Sequence, residues 1–387
     1  MIPLFKVNMS PEASNAVAGV LESGMIGEGP KVEEFTEKLQ ELFDHNGVVC
    51  TSSCTSALEI ALRLCSVRGH PVVSTPFTFP ATNCAIANEG GLIEWTAVDP
   101  DTLCVETEAT IRKAIETKAR AVVITLVGGL VPKNFDHFYW ALKTNYIPLI
   151  LDCAHALTTT YKGKHISHWA DFTCYSFQSI KHLTTGDGGA LVIENETLYE
   201  DAKKLKWFGI DRKVPGGKTR LEHQMESSIR QSGYKAHMND IAAAIGLANL
   251  PGAIGAIRIS QDNAAYFDDF ISTNLFDKIE PLYIGPESTS SRWAYGFKVK
   301  YNECEDGSYY REDDKRLAFV MEKTKALNEL GVAASPLWKM NNEHYCFSRK
   351  PFLARQPAAI FIPSGFWVRA EERKQITAAL VEVFGDN

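Results

Sequence analysis

The segment YSFQSIKHLTTGDGG, Tyr175 to Gly189, sets Lys181 between an apolar run ending in YSF and a Thr-Thr-Gly-Asp-Gly-Gly turn. Glycines there let backbone approach a bound group closely while the amine projects from the end of a strand. Taken alone, Lys181 reads better as a solvated lysine beside a glycine-rich hairpin. Its neighbours change that balance. In LILDCAHAL, Asp152 closes an apolar strand 29 positions earlier, with the hairpin YKGKHIS in between. A carboxylate at such a place needs a partner. Pyridoxal phosphate supplies one, because its ring nitrogen must stay protonated to act as an electron sink and a facing carboxylate favours the charged form. The competing reading makes Asp152 the N-cap of a following helix.

Two further segments add to the pair. In VVCTSSCTSALEIALRL a strand runs through hydroxyl residues into a helix, with Ser56 and Glu59 at capping-box spacing. Free N–H groups at a helix start bind anions, and Thr55 and Ser56 add hydroxyl donors, although every helix needs a cap of some kind. In TPFTFPATNC, Phe79 follows the strand VVST, where an aromatic face can stack on a planar ring or simply fill the core. Other chemistries lack parts. His165 and His168 in HISH have no third metal ligand nearby, and neither Ser-x-x-Lys nor Gly-x-Ser-x-Gly surrounds Lys181. No Gly-x-Gly-x-x-Gly opens a helix, which argues against a nicotinamide enzyme.

The elements that must position these residues follow from hydrophobic patterning. GVVCT, LIEWTAV, AVVITLV, YIPLILD, DFTCYSF and GALVIE read as buried strands, and SALEIALRLC, ATIRKAIETKA and FDHFYWALK as crossover helices. The expected fold is α/β with a mostly parallel sheet, and ligands sit beyond the carboxyl ends of such strands. After Gly246 the pattern changes: LANLPGAIGAIRISQDNAAYFDDFI is interrupted at Pro251 and Gly252, and FKVKY, AIFIP and a C-terminal helix EERKQITAALVEVF follow. The expected division is a large α/β domain over residues 1–250, N-terminal arm included, and a smaller α+β domain over 251–387. EPLYIGPESTSSR and ECEDGSYYREDDKR read as surface loops.

Composition bounds the partners. The 387 residues are 45% hydrophobic and 22% charged, which is ordinary for a globular chain with a sizeable core. A net charge of −7 gives no broad basic field for nucleic acid or an anionic membrane. The N-terminus lacks the apolar core of a signal peptide, and no stretch reads as a run of about 20 apolar residues, so a cytoplasmic protein with small partners is expected. Nine cysteines scattered through apolar segments read as reduced core thiols.

Together these segments resemble the DegT/StrS family of sugar aminotransferases, pyridoxal-phosphate enzymes of fold type I (aspartate aminotransferase-like). The resemblance runs from IPLFKVNMSPEASNAVAGVLESGMIGEGPKVEEFTEKL through TSSCTSALEIAL, TPFTFPATN, VDPDTL, DCAHAL and SFQSIKHLTTGDGG to GYKAHMNDIAAAIGLANL. It implies that Lys181 bonds the cofactor and moves the reaction's proton, that Asp152 holds the pyridinium, and that His155 contacts the phenolic oxygen. It further implies that Phe79 lies over the ring and that Thr55, Ser56 and Ser176 hold the phosphate. In GYKAHMND, Lys235 and His237 stand where relatives often carry Asn and Arg that reach the neighbouring subunit's phosphate, which implies a homodimer with shared sites.

This chain departs from the family at Cys54 and Ser56 and in ITLVGGLVP, which lacks a His-Tyr-Gly often found there. The implied reaction moves an amino group from glutamate to a nucleotide-linked 4-keto-6-deoxy sugar. A keto-cyclitol acceptor, or a cofactor-binding regulator without turnover, is the alternative. Nucleotide and sugar contacts fall to variable loops, including SGMIGEGP and WFGIDRKVPGGKTR.

Overall fold

The computed structural model describes residues 1–212, 222–223, 225, 228–300, 309–347, 352 and 356–385. Seven strands form the main sheet: β1 (Val48–Thr51), β2 (Pro71–Ser74), β3 (Leu92–Trp95), β4 (Ala121–Thr125), β5 (Leu149–Asp152), and, after the short hairpin strands β6 (Thr160–Tyr161) and β7 (Lys164–His165), β8 (Phe172–Ser176) and β9 (Gly189–Ile193). Their order is β1-β9-β8-β5-β4-β2-β3, and all run parallel except β9, which lies antiparallel between β1 and β8. The apolar runs AVVIT and LILD are buried along their whole length, as strands covered on both faces must be. The architecture is that of fold-type I, with a mostly parallel sheet wrapped by helices.

The crossover helices are α3 (Cys54–Leu64), α5 (Thr107–Glu116) and α6 (Phe135–Thr144), and α4 (Pro80–Asn88) follows β2. Helix α3 begins two residues earlier than Ser56. Its cap is Ser53, whose extended backbone leaves Oγ free to accept the Ser56 N–H at 3.0 Å, whereas Ser56 already lies within the first turn.

Two helices, α1 (Ala13–Ser23) and α2 (Pro30–Phe43), pack on the long helix Asp240–Asn274. Gly29 and Val32 donate to Oδ1 of Asp240 at 2.9 and 3.0 Å, and Lys31 donates to Oδ2 at 3.1 Å. One buried carboxylate thus satisfies the start of α2 while sitting at the start of a second helix.

The interruption expected at Pro251 is absent, since the helix runs through it for 35 residues. Burial of residues such as Ala253, Ile257, Ala264 and Phe267 outweighs a local cost of about 3 kcal/mol for an interior proline. An 18-residue window of this helix reaches a mean hydropathy of 1.5, which is long and apolar enough to cross a membrane by composition, against the sequence expectation. Half of that window is buried inside the fold, as befits a core helix.

A second core forms around an antiparallel sheet of Ile279–Pro281, Tyr295–Val299 and Ala359–Ile362, with Ala370–Phe384 packed against it. Ile2 joins this core and bridges to Val332. The segment EPLYIGPESTSSR is no surface loop. It contributes strand residues and ends in buried Ser290, Ser291 and Arg292. Partners explain the burial: Ser291 Oγ accepts the Thr158 N–H at 2.9 Å, and Arg292 pairs with Asp268 at 2.7 Å. Of the other expected loop, residues 303–308 lie outside the described residues and helix Tyr309–Glu329 takes up the rest. Residues 213–220 of WFGIDRKVPGGKTR also lie outside them.

Candidate active site

Strands β4, β5 and β8 end side by side at Thr125, Asp152 and Ser176, and a cavity of about 400 Å³ opens beyond them. Thr55, Phe79, Asp152, His155, Ser176 and Lys181 all line it. Ser56 does not, because its hydroxyl turns to Ser53 Oγ at 3.0 Å. Lys235 and His237 also lie outside this cavity. Lys235 Nζ sits 3.8 Å from the Trp207 ring centroid, His237 meets the same indole edge-on, and His237 bridges through its backbone to Thr51 at the end of β1.

Asp152 caps no helix, since residues 153–159 form turns. Its Oδ2 accepts from Thr82 Oγ1 at 2.7 Å, and its Oδ1 accepts the Ala154 N–H at 3.1 Å and faces Cys54 Sγ at 3.8 Å. Burial raises its pKa, while these donors and the Lys181 charge oppose that rise. A buried carboxylate held by neutral donors is poised to stabilise a cation placed against it. Thr82 in turn joins Thr78, which lies 2.7 Å from Thr125, so a cluster of threonine hydroxyls underlies the carboxylate.

Burial pushes the Lys181 amine down to about 8, against the pull of Asp152 and Cys54. Its Nζ lies 4.1 Å from the centroid of Trp293. His155 stacks on the same indole, with centroids 3.8 Å apart and planes 5° from parallel, and Trp338 lies beyond at 5.6 Å. Burial, then the charges of Lys181 and His182, hold His155 well below its ordinary pKa. The Gly128 N–H points at Nδ1 at 3.4 Å, which assigns the proton of the neutral ring to Nε2 and makes that nitrogen a donor.

At the opposite end, β9 packs its backbone onto the start of α3. A Cβ built on Gly189 would lie 2.4 Å from the Ser53 carbonyl carbon and 2.5 Å from Cys54 N. The first turn of α3, Thr55 and Ser176 therefore form a tight polar corner with a helix dipole directed at it. A buried carboxylate, a depressed amine, an imidazole N–H and an anion corner around one cavity fit the ring nitrogen, aldehyde, phenolic oxygen and phosphate of pyridoxal phosphate.

Phe79 is 58% exposed at this cavity and is not a core residue. The sequence reading missed Trp293, Trp338 and Thr82. The two tryptophans come from segments more than 100 positions from Lys181 and carry no periodic signal. Thr82 lies in the first turn of α4, four residues after Thr78, which sits just ahead of that helix. His165 is a packing residue, stacked on Phe43 with Nε2 at 3.0 Å from the Leu157 carbonyl.

The sequence model of the DegT/DnrJ/EryC1/StrS aminotransferase family matches residues 8–300. An uncharacterized protein of Methanocaldococcus jannaschii, MJ1066, is 31% identical over 253 residues, 65% of this chain and 65% of that protein, so the match spans just under two thirds of its length. The UDP-4-amino-4,6-dideoxy-N-acetyl-beta-L-altrosamine transaminase of Campylobacter jejuni serotype O:23/36 is 30% identical over 297 residues, 76% of each chain. The crystal structure of the sugar aminotransferase CalS13 from Micromonospora echinospora superposes with a TM-score of 0.87 at 28% identity, covering 99% of this chain and 100% of that one.

Proposed function

Because the chain belongs to the DegT/DnrJ/EryC1/StrS aminotransferase family, we propose that it is a pyridoxal-phosphate enzyme that moves the amino group of glutamate onto the ketone of a nucleotide-linked 4-keto-6-deoxy sugar. The observation that carries this reading is the meeting of Lys181, its amine pushed down to about 8, with the buried Asp152 in one cavity.

When bound, pyridoxal phosphate supplies a sink for the electrons left behind as a proton leaves the amino-acid carbon. The chain's residues do the rest. Asp152 holds the proton on the ring nitrogen, and His155 Nε2 donates to the phenolic oxygen. Phe79 covers the ring, and the first turn of α3 with Thr55 and Ser176 holds the phosphate. Lys181 would tether the cofactor until the amino group of glutamate displaces it, and the amine so freed would take the proton from the reacting carbon and return it.

The same reading makes the enzyme a cytoplasmic homodimer with shared sites. Among the described residues lining the cavity, Lys181 is the only lysine or arginine, so a phosphate dianion draws its remaining counter-charge from outside. Lys235 of a second subunit is the charge proposed to supply it, with His237, which burial and then Lys235 hold below its ordinary pKa, as a neutral hydrogen-bonding group beside it. The buried free thiols of Cys50, Cys65, Cys153 and Cys174 suit a reducing compartment.

Borohydride treatment of protein reconstituted with pyridoxal phosphate should fix the cofactor to Lys181, as mapped by peptide mass. Glutamate alone should then convert unreduced enzyme to the amine form and release one equivalent of 2-oxoglutarate. A screen of nucleotide keto-sugars and keto-cyclitols, read by product mass, identifies the acceptor. An adduct on another lysine sinks the site assignment, and a cofactor spectrum unmoved by every amino acid favours a regulator.

A further inference from the structure

Trp293 lies between strands Ser288–Thr289 and Tyr295–Val299, directly after the segment that sequence patterning places on the surface, and it is only 7% exposed. Four contacts converge on its indole. Nε1–H donates to the Ile180 carbonyl at 3.0 Å, next in the chain to Lys181. The Lys181 Nζ lies 4.1 Å from the ring centroid, His155 stacks at 3.8 Å, and Phe5 stacks at 4.3 Å with planes 20° apart. One side chain thus holds the backbone beside the reacting lysine, faces its amine and orients the imidazole nearby.

We infer that Trp293 is a positioning residue that fixes the Lys181 amine and raises its affinity for a proton. The face of an indole carries negative potential and attracts an ammonium, more strongly where water is excluded. Burial drives the Lys181 amine toward its neutral form, so the ring opposes burial and keeps the group within reach of both protonation states. The other titratable groups around Lys181 are Asp152 and Cys54, the imidazoles of His155 and His182, and Asp187 in the same cavity. Lys6 lines a smaller cavity of about 20 Å³ behind the lysine, of which Trp293 and Phe5 also form walls. Burial holds His155 and His182 neutral, with His182 pushed down to about 3, so neither replaces the ring, while the Asp152 charge raises the proton affinity of the amine alongside it.

The inference rests on the reading of Lys181 as the reacting amine, and its test is independent of the cofactor. The full chain, freed of aldehyde by dialysis against hydroxylamine, is acetylated with trace acetic anhydride from pH 6 to 10.5. Labelling of Lys181 is read by mass against exposed Lys325. In Trp293→Leu the labelling midpoint should fall by about 0.4–1.5 pH units relative to wild type. Trp293→Phe keeps a ring face but loses the N–H donor. Its midpoint should stay within about 0.3 unit of wild type, while amide hydrogen exchange over residues 178–182 speeds up.

An unshifted midpoint in a Trp293→Leu protein that melts like wild type overturns the electrostatic part. If that variant does not fold, Trp293→Phe decides the matter: unchanged exchange over 178–182 removes the tether, and a midpoint that falls by more than a unit removes the role of the ring face. Should the midpoint shift as stated while Lys181 forms no adduct with pyridoxal phosphate, the proposed function fails and the role of Trp293 stands.

Discussion

Thr82 Oγ1 donates to Asp152 Oδ2 at 2.7 Å from the first turn of α4, and the carboxylate it serves is buried. Because an ionised carboxylate only accepts, the direction of this bond is fixed, and the Thr82 oxygen is left to receive from Thr78.

Replacing Thr82 with valine keeps the shape and removes the donor. Burial already raises the Asp152 pKa, so losing a hydrogen bond to the charged form raises it further. A hydrogen bond to a charged group contributes about 1.5–3 kcal/mol, which sets an expected fall in kcat of roughly 10- to 150-fold. Thr82→Ser should restore most of it. Asp152→Asn marks the limit of the series, with a loss of several orders of magnitude in a protein that still folds. Near-normal turnover of Thr82→Val, measured at saturating substrates, removes Thr82 from the site.

Lys181 should titrate near pH 8 in the cofactor-free protein. At pH 7 about one amine in ten is then neutral, against about one in 3,000 for an ordinary lysine. The rate of capture of pyridoxal should therefore rise through pH 8 and level off well below pH 10.5. Since the folded protein holds this proton less tightly than the unfolded chain, the site weakens folding below pH 8, and that penalty is relieved as pH rises from about 8 to 10.5. A capture profile still climbing at pH 10.5 contradicts the burial of the amine.

Gly189→Ala should be costly out of proportion to one methyl group, because the added carbon meets the backbone of Ser53 and Cys54, not a mobile side chain. A loss of about 1–3 kcal/mol in unfolding free energy is expected, with release of bound pyridoxal phosphate on dialysis. Unaltered melting together with retained cofactor would show that β9 and the start of α3 can part freely.

Shared sites can be tested by subunit exchange. Lys181→Ala and the double change of Lys235 and His237 to alanine should each be weak or inactive as homodimers. Random mixing places both defects in one site of each mixed dimer and leaves the other intact, which restores about a quarter of wild-type activity. No recovery after complete exchange would return both residues to a role within their own subunit.

Much of this was legible in the sequence. Most strands of the main sheet are continuous β-branched or apolar runs covered on both faces, while the edge strand β3, with Leu92 exposed and only Trp95 buried, departs from the buried reading of LIEWTAV. Asp152 was legible because it sits where such a run stops and Lys181 because it follows one into a glycine-rich turn, whereas Ser176 came only from the family resemblance. The helix through Pro251 was not, because its stability comes from α1, α2 and the core and not from local propensity. Ser290 to Arg292 misled in the opposite sense: polar side chains read as solvated, but Thr158, Thr159 and Asp268 are waiting for them inside. Trp293 was beyond reach for a related reason, as its role consists of contacts to residues 5, 155, 180 and 181, which only the tertiary fold assembles.

The antiparallel strand β9 also sets a schedule. Strand β1 hydrogen-bonds in the sheet only to β9, through the register that joins Thr51 to Gly189. On the ribosome, residues 48–51 emerge with no neighbour to pair with, and 137 residues separate Thr51 from Gly189. At about 5–20 residues per second, that interval lasts roughly 7–27 seconds. The polar corner at the start of α3, which hangs from the end of β1, is therefore among the last parts of the large sheet to close, so a newborn chain can lay down β2, β4 and β5 well before the proposed phosphate site is complete.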